Sequence, residues 1–403
     1  MIQNKALIDR FLRYARIDTQ SQEETEAQPS TAKQRDLAKL LYEELLALGA
    51  ETYYDEEHCY VYASLPGEEP ALGFVSHMDT SPAASGKDVD PRIIDSYDGK
   101  DIRLNDDTVL SPSEFPELLS HAGEDLIVTD GTTLLGADDK AGVAEIMNLF
   151  AWYAAHPEEP HRKLCLAFTP DEEVGRGTAN FDIERFGAKE AYTVDGGSLG
   201  EIEYECFNGA SAKVEIAGKS VHPGSGKNTL VNACTLAMEL NALLPPAEVP
   251  EHTEGYEGYY FLTAMEGDCE HACLKYIIRD HDRANFEARK DYLRRAVDYC
   301  SEKYGRNAFR LTLRDDYYNM ADLMKDRMDL ITRAKDVMTE MGIEPKVAPI
   351  RGGTDGAVLT YMGIPCPNLC TGGYNFHGRF EYASIQEMEK SAELLIRLAR
   401  PLA

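Results

Sequence analysis

Hydrophobic positions along the chain alternate between helical and strand-like spacing. After an amphipathic opening segment, leucines at helical spacing predict a helix over 30–50. Short apolar runs predict strands over 71–77, 162–168 and 190–195, and a helix over 139–155 lies between the first two strands. This alternation predicts a sheet covered by helices, with functional residues at the ends of its strands.

The order of predicted elements changes near residue 207. A strand, a helix over 229–244, two strands, a helix over 282–305 and a closing strand follow one another. This β-α-β-β-α-β order is typical of a ferredoxin-like unit, and insertions of that size are tolerated in loops. We therefore predict an α/β protein with two domains: a discontinuous catalytic domain over 1–206 and 321–403, and an inserted lid or dimerisation domain over 207–320.

Composition and charge exclude several classes of partner. The chain has 403 residues, of which 43% are hydrophobic, and a formal net charge of −29. This charge disfavours nucleic acid and anionic membranes as partners. The nine cysteines are scattered and odd in number, and no signal-peptide core or membrane-spanning run is apparent. We expect a cytoplasmic protein.

Acidic and histidine side chains recur where the predicted strands end. His77 and Asp79 are two residues apart, so in a strand they share a face. Further polar positions follow other apolar segments, namely Asp138 and Asp139, Glu172 and Glu173, Asp195, and His377. Alone, each position is typical of a turn or a helix cap.

The combination of these groups predicts a metal centre. Two histidines and several carboxylates converge on one sheet edge without a basic cluster to neutralise them. Mixed histidine and carboxylate ligands suit zinc, manganese or cobalt. The carboxylates are too numerous for one ion, which favours two ions about 3.5–4 Å apart.

Several segments, in chain order, resemble the M20 family of dinuclear zinc peptidases: GFVSHMDTSP, TLLGADDKAG, FTPDEEVGRG, AYTVDGG, IRGGTDGA and TGGYNFHG. The resemblance covers nearly the whole chain and implies a mixed-sheet zinc-peptidase domain with an inserted lid. The metal ligands that it implies are His77, Asp138, Glu173, Asp195 and His377. Asp138 would bridge the ions, Asp79 would orient His77, and Glu172 would be the general base.

Glu172 and Glu173 are adjacent, yet the resemblance gives them different roles. Neighbouring residues of an extended chain point to opposite sides, so we expect the two carboxylates to face different surroundings. The sequence itself does not decide which glutamate binds metal.

The resemblance implies three substrate contacts outside the metal centre. His222 would donate a hydrogen bond to the oxyanion. Arg351 would pair with the substrate C-terminal carboxylate, which suits a forked guanidinium. Asn232, placed within the helix predicted over 229–244, would also contact substrate. An ordinary loop histidine, a structural salt bridge and a solvated amide are the respective alternatives.

The activity implied is removal of the N-terminal residue from tripeptides by a metalloenzyme that carries two zinc ions per subunit. Cobalt or manganese could substitute, and the partners would be a short peptide and a second copy of the chain, bound through the lid domain. The alternative enzymes are other M20-type amidohydrolases, namely a carboxypeptidase, a dipeptidase or an N-acyl amino acid deacylase. An inactive metal-binding homologue is disfavoured because Glu172 is present.

Overall fold

The computed structural model of the protein describes residues 4–23, 25–305 and 308–402. Its α-helices are α1 (Lys5–Ala15), α2 (Gln34–Ala47), α3 (Ala137–Ala155), α4 (Ile183–Phe186), α5 (Ala233–Ala242), α6 (Arg283–Tyr304), α7 (Ala321–Met324), α8 (Met328–Glu340), α9 (Asp355–Tyr361) and α10 (Ile385–Leu398). Its strands are β1 (Glu51–Asp55), β2 (Tyr60–Leu65), β3 (Glu68–His77), β4 (Arg92–Ile94), β5 (Ile102–Arg103), β6 (Val109–Leu110), β7 (Leu126–Val128), β8 (Arg162–Thr169), β9 (Ala191–Gly196), β10 (Glu201–Glu203), β11 (Asn208–Ala217), β12 (Tyr259–Gly267), β13 (His271–Asp280), β14 (Phe309–Tyr317), β15 (Lys346–Val347), β16 (Asn368–Cys370), β17 (Gly373–Tyr374) and β18 (Tyr382–Ser384).

The chain forms two compact units. The first comprises Met1–Tyr204, Leu323–Ala348 and Thr354–Ala403, and the second comprises Glu205–Asp322 and Pro349–Gly353. The predicted mixed α/β class is confirmed. The predicted roles of the second unit as a lid and a dimerisation domain stay predictions.

A mixed eight-stranded sheet, in the order β1-β2-β8-β3-β9-β16-β10-β15, organises the first unit. Its central strands β8, β3, β9 and β16 run parallel. The register places His77 opposite Thr169, and Val75 opposite Thr193. Because parallel strands end at the same edge, His77 and the residues that follow β8 and β9 meet there.

Burial on both faces explains the continuous apolar runs of the central strands. In β3 every residue from Ala71 to His77 is buried, and in β8 every residue from Leu164 to Thr169 is buried. A parallel sheet covered by helices on both sides produces this pattern. Helix α3, whose middle turns are almost entirely buried, packs against β3 and β9.

A small sheet in the first unit, in the order β17-β18-β7-β4, carries part of the site. Strands β17 and β18 pair antiparallel, and the loop between them contains His377. His377 has a φ of 64°, in the left-handed region. The loop therefore turns sharply at His377.

The second unit is a four-stranded antiparallel sheet in the order β12-β13-β11-β14, with α5 and α6 packed on it. The element order β-α-β-β-α-β is the one predicted. Helix α5 begins at Ala233, so Asn232 is its N-cap and not an interior residue as predicted. The asparagine side chain accepts hydrogen bonds from the N–H groups of Cys234 and Thr235, a capping role that asparagine commonly fills.

Among the described residues, no helix combines the length and the apolar character needed to cross a membrane.

Candidate active site

The Asp138 carboxylate lies between two histidines. Its Oδ1 is 2.8 Å from His77 Nε2, and its Oδ2 is 3.0 Å from His377 Nε2. His77 Nε2 is also 3.4 Å from Asp195 Oδ1, and His377 Nε2 is 3.0 Å from Glu173 Oε2. The arrangement consists of two histidine–carboxylate pairs that share one aspartate.

Secondary structure positions three residues of this arrangement. His77 ends β3, and Asp195 is the penultimate residue of β9. Asp138 is in the non-helical first turn of α3, with φ and ψ of −86° and 105°. Local sequence periodicity predicts the strand ends, but the distance from Asp138 to His377 depends on the tertiary fold.

Glu172 and Glu173 lie in a single turn of 3₁₀-helix, Glu172–Val174. The expectation of an extended chain is wrong at this position. Asp171 has a φ of 57°, in the left-handed region, so the chain turns there and no longer follows the direction of β8. A 3₁₀-helix has three residues per turn, so consecutive side chains still diverge by about 120°. The two carboxylates therefore face different surroundings for a different reason from the one predicted.

Asp79 holds the backbone of both glutamates. Its Oδ1 and Oδ2 accept hydrogen bonds from Glu172 N at 3.0 Å and Glu173 N at 3.2 Å. His77 Nδ1 lies 3.0 Å from the Asp79 carbonyl oxygen and 3.5 Å from its Oδ1. Asp79 thus orients His77 and also anchors the turn with the two glutamates, a contact that residue spacing does not reveal.

The carboxylates respond differently to the charges around them. Burial alone would raise the pKa of Asp138, but hydrogen bonds from His377 and His77 lower it below the usual range. Burial raises the pKa of Glu173 to about 7 and that of Asp195 to about 6. Acids whose pKa is raised by burial are common at functional sites.

Glu172 differs from the other carboxylates described at this site because its side chain has no hydrogen-bond partner in the described structure. No donor among the described residues hydrogen-bonds its side chain, which is partly accessible. Burial raises its pKa well above the ordinary value. An unengaged carboxylate with a raised pKa is suited to accept and return a proton.

Glu381, which the sequence analysis missed, supports the Asp138 turn. It is 1% exposed, and its carboxylate accepts hydrogen bonds from the N–H groups of Leu135, Gly136 and Asp138 at 2.7, 2.9 and 3.1 Å. An acidic residue within the apolar stretch FEYAS was the signal available in the sequence. Glu381 fixes the backbone from which Asp138 projects.

Two further buried carboxylates surround the site: Asp355, which the sequence analysis missed, and Asp139, which it noted without assigning a role. Asp355 accepts a hydrogen bond from Thr169 Oγ1 at 2.8 Å, and burial raises its pKa to about 7. Asp139 accepts a hydrogen bond from Ser76 Oγ and has an unpartnered buried Oδ1. Burial raises the pKa of Asp139 as well, and when ionised the two groups add negative charge around the histidine–carboxylate pairs.

The three predicted substrate contacts belong to the second unit. His222 is exposed, and its Nδ1 accepts a hydrogen bond from Gly224 N at 3.2 Å. The Arg351 guanidinium donates to the carbonyl oxygens of Thr253, Gly255 and Glu257. Arg351 therefore contacts neutral acceptors and forms no ion pair with the described carboxylates. The alternative reading, a structural salt bridge, is not supported.

The donor set fits divalent metal ions. Imidazole nitrogens and carboxylate oxygens are the ligands that zinc takes at catalytic sites. Glu173 Oε1 is buried without a hydrogen-bond partner among the described residues, so it is free to coordinate. A cavity of about 800 Å³, lined by Glu173, His377 and polar residues of 20–33, adjoins the site within the first unit.

Comparison with known proteins establishes the family. The model of "Peptidase family M20/M25/M40" matches residues 128–400. The chain belongs to this peptidase family. Peptidase T of Alkaliphilus oremlandii (strain OhILAs) is 49% identical over 402 residues, 98% of each chain. Peptidase T of Bacillus subtilis (strain 168) is 49% identical over 400 residues, again 98% of each chain.

Solved structures of M20 peptidases and related enzymes share the fold. The aminopeptidase PepT from Bacillus cereus ATCC 10987 aligns with a TM-score of 0.76 at 24% identity, over 99% of this chain and 98% of that one. A tripeptidase from Staphylococcus aureus subsp. aureus mu50 aligns with a TM-score of 0.79 at 20% identity and the same coverage. The predicted M20 membership, fold class and hydrolase character are confirmed.

Proposed function

We propose that this M20 peptidase is a dinuclear metal aminopeptidase that removes the N-terminal residue from tripeptides. One observation carries the metal centre: the two Asp138 oxygens each contact a different histidine, and each histidine has its own second carboxylate. The tripeptide preference is supported by the peptidase T relatives at about half identity over nearly the full chain.

The ligands would be His77 and Asp195 for one ion, Glu173 and His377 for the other, and Asp138 for both. Zinc is the metal we propose for both sites, with cobalt or manganese as substitutes. When bound, the ions would polarise the scissile carbonyl and make a hydroxide available near neutral pH. This chemistry leaves to the protein the positioning of substrate and the transfer of protons.

Glu172 would carry the proton transfers. Its carboxylate is free of protein donors, and its backbone is fixed by Asp79 at 3.0 Å. In this position it would take a proton from the attacking water and return it to the leaving amine. Asp79 would hold the backbone of the base Glu172 and of the ligand Glu173 at fixed positions, because it accepts hydrogen bonds from the N–H groups of both.

Three residues of the second unit would contact the substrate. His222 would stabilise the developing oxyanion. Arg351 would bind the C-terminal carboxylate of the substrate. Among the described residues the guanidinium donates only to neutral oxygen atoms, so its positive charge is not balanced by a carboxylate. Asn232 would contribute only its amide nitrogen, because its Oδ1 caps α5. We propose a cytoplasmic homodimer, with the second unit as the dimerisation surface and lid.

Hydrolysis of a free tripeptide and its N-acetylated form by the zinc-loaded enzyme tests this function. We expect release of the N-terminal residue from the free tripeptide, loss of activity with a chelator, and recovery on adding zinc back. Faster cleavage of the acetylated peptide would refute the aminopeptidase assignment. Full activity after verified metal removal would refute the metal mechanism.

A further inference from the structure

Glu203 is tied to the metal-ligand candidate Asp195 through one side chain. Strand β10 pairs antiparallel with β16, which places Glu203 opposite Asn368. Asn368 Oδ1 accepts a hydrogen bond from Asp195 N at 3.1 Å, and Asn368 Nδ2 donates to Glu203 Oε2 at 2.8 Å. A single amide group therefore fixes the position of the Glu203 carboxylate beside the end of β9.

The Glu203 carboxylate has no cationic partner. No lysine, arginine or histidine among the described residues forms an ion pair with it, and Asn368 is its one hydrogen-bond donor there. Burial raises the pKa of Glu203 to about 8, although the Asn368 hydrogen bond acts in the opposite direction. A half-buried carboxylate without a counter-charge is costly unless a ligand supplies one.

Two features of the surroundings indicate the kind of cation. One Glu203 oxygen is held by Asn368, and the other is neither hydrogen-bonded in the described structure nor fully buried. One free carboxylate oxygen is too few ligands for a divalent ion, but it can accept a hydrogen bond from an ammonium group, whose other two N–H donors water can satisfy. In a peptide with a free N terminus, the ammonium is one carbon from the scissile carbonyl. It must therefore lie close to the metal ligands.

We propose that Glu203 binds the α-ammonium group of the substrate and so selects peptides with an unblocked N terminus. This inference rests on the proposed aminopeptidase function. Asn368 is a positioning residue, because it holds Glu203 at a constant distance from Asp195. A charge-assisted hydrogen bond between Glu203 and the ammonium group, in a half-buried site, should contribute measurably to substrate affinity.

The test compares Glu203→Gln with wild type on a free tripeptide and on its desamino analogue, in which a hydrogen replaces the N-terminal amino group. We expect the variant to lose about 10- to 100-fold in kcat/KM on the free tripeptide, mainly through KM. Activity on the analogue should stay within about twofold. Glutamine keeps the shape of glutamate and can still accept the Asn368 hydrogen bond.

Glu201→Gln is the matched control. Glu201 is two residues earlier on the same strand and accepts a hydrogen bond from Ser198 Oγ at 2.5 Å. We expect this variant to keep the wild-type preference for the free peptide. Metal content and melting temperature verify that all variants are folded. If Glu203→Gln does not fold, Glu203→Asp replaces it, and we expect it to retain part of the preference.

The outcomes separate the inference from the proposed function. Equal losses on both substrates would assign Glu203 a structural role and overturn the inference, as would unchanged activity on both. In either case wild type would still cleave the free tripeptide, and the aminopeptidase function would stand. A metal-loaded wild type that cleaves neither substrate would refute the proposed function and, with it, the inference.

Discussion

Adjacent glutamates with separate surroundings allow metal binding and proton transfer to be separated by mutation. Glu173 Oε2 is 3.0 Å from His377 Nε2 and within reach of the shared Asp138. The Glu172 side chain has no such contact in the described structure. We therefore predict that Glu172→Gln retains both metal ions but loses activity, whereas Glu173→Gln loses metal first.

The expected magnitudes follow from these contacts. Glu172→Gln removes only a general base, which typically contributes 10²- to 10⁴-fold in rate, or about 3–5 kcal/mol of the activation barrier. Glu173→Gln removes a ligand. Loss of an outer-shell partner commonly costs about 10- to 100-fold in metal affinity, so loss of this ligand should cost more than about 100-fold.

The assay combines kcat at saturating tripeptide with metal titration of the apoenzyme. For Glu172→Gln we expect unchanged stoichiometry and affinity, and a melting temperature at least equal to that of wild type, because a partly buried acid without a compensating partner has been removed. A Glu172→Gln enzyme that retains wild-type kcat would refute the general-base role. Metal loss in Glu172→Gln with full metal in Glu173→Gln would show that the roles are reversed.

Three other substitutions test buried acidic residues of the first unit. Asp79→Asn should lower metal affinity about 10- to 100-fold, measured by titration, because it weakens an orienting contact; unchanged affinity would contradict that role. Asp171→Ala leaves the Ser30 N–H and the Gln34 amide without their buried acceptor, and we expect a loss of about 2–4 kcal/mol in denaturant unfolding. Glu145 is fully buried with both oxygens unpartnered, and burial raises its pKa well above the ordinary value of 4.5. Folding favours the protonated form of Glu145. The free energy of unfolding therefore falls as the pH rises above 4.5, because the folded protein then binds the proton more tightly than the unfolded chain. Glu145→Leu should therefore stabilise the protein increasingly as the pH rises above 4.5, by at most about 1.4 kcal/mol per pH unit, in unfolding curves recorded from acidic to neutral pH; a constant difference would refute the sign.

The parallel strands and the histidine and acidic residues at their ends were predictable because both are local properties. Apolar runs bounded by polar residues define β3, β8 and β9, and parallel strands must end at one edge. His77 and Asp195 follow directly from this rule. The β-α-β-β-α-β order of the second unit was equally accessible, since its helices and strands have different periodicities.

Contacts between distant segments and backbone groups were not predictable. Glu381 stabilises a turn more than 240 residues earlier through three N–H groups. Asp79 binds backbone atoms of residues 172 and 173, and such bonds leave no periodic trace in the sequence. Arg351 clusters with residues 205–322 although it lies far beyond them in the chain. Each case depends on a tertiary arrangement that the spacing of residues does not encode.

The three consecutive acidic residues Asp171, Glu172 and Glu173 differ in the partners that compensate their burial. Asp171 is fully buried, and neutral donors, the N–H of Ser30 and the Gln34 amide, bind it at 2.7–2.9 Å. Glu173 lies beside the His377 imidazole. Glu172 has neither kind of partner, and its pKa is raised well above the ordinary value by burial. Because a partly buried acid without a compensating partner destabilises a fold, the presence of Glu172 between two compensated neighbours is best explained by function. The same contrast that predicts stabilisation by Glu172→Gln therefore also predicts the loss of catalysis.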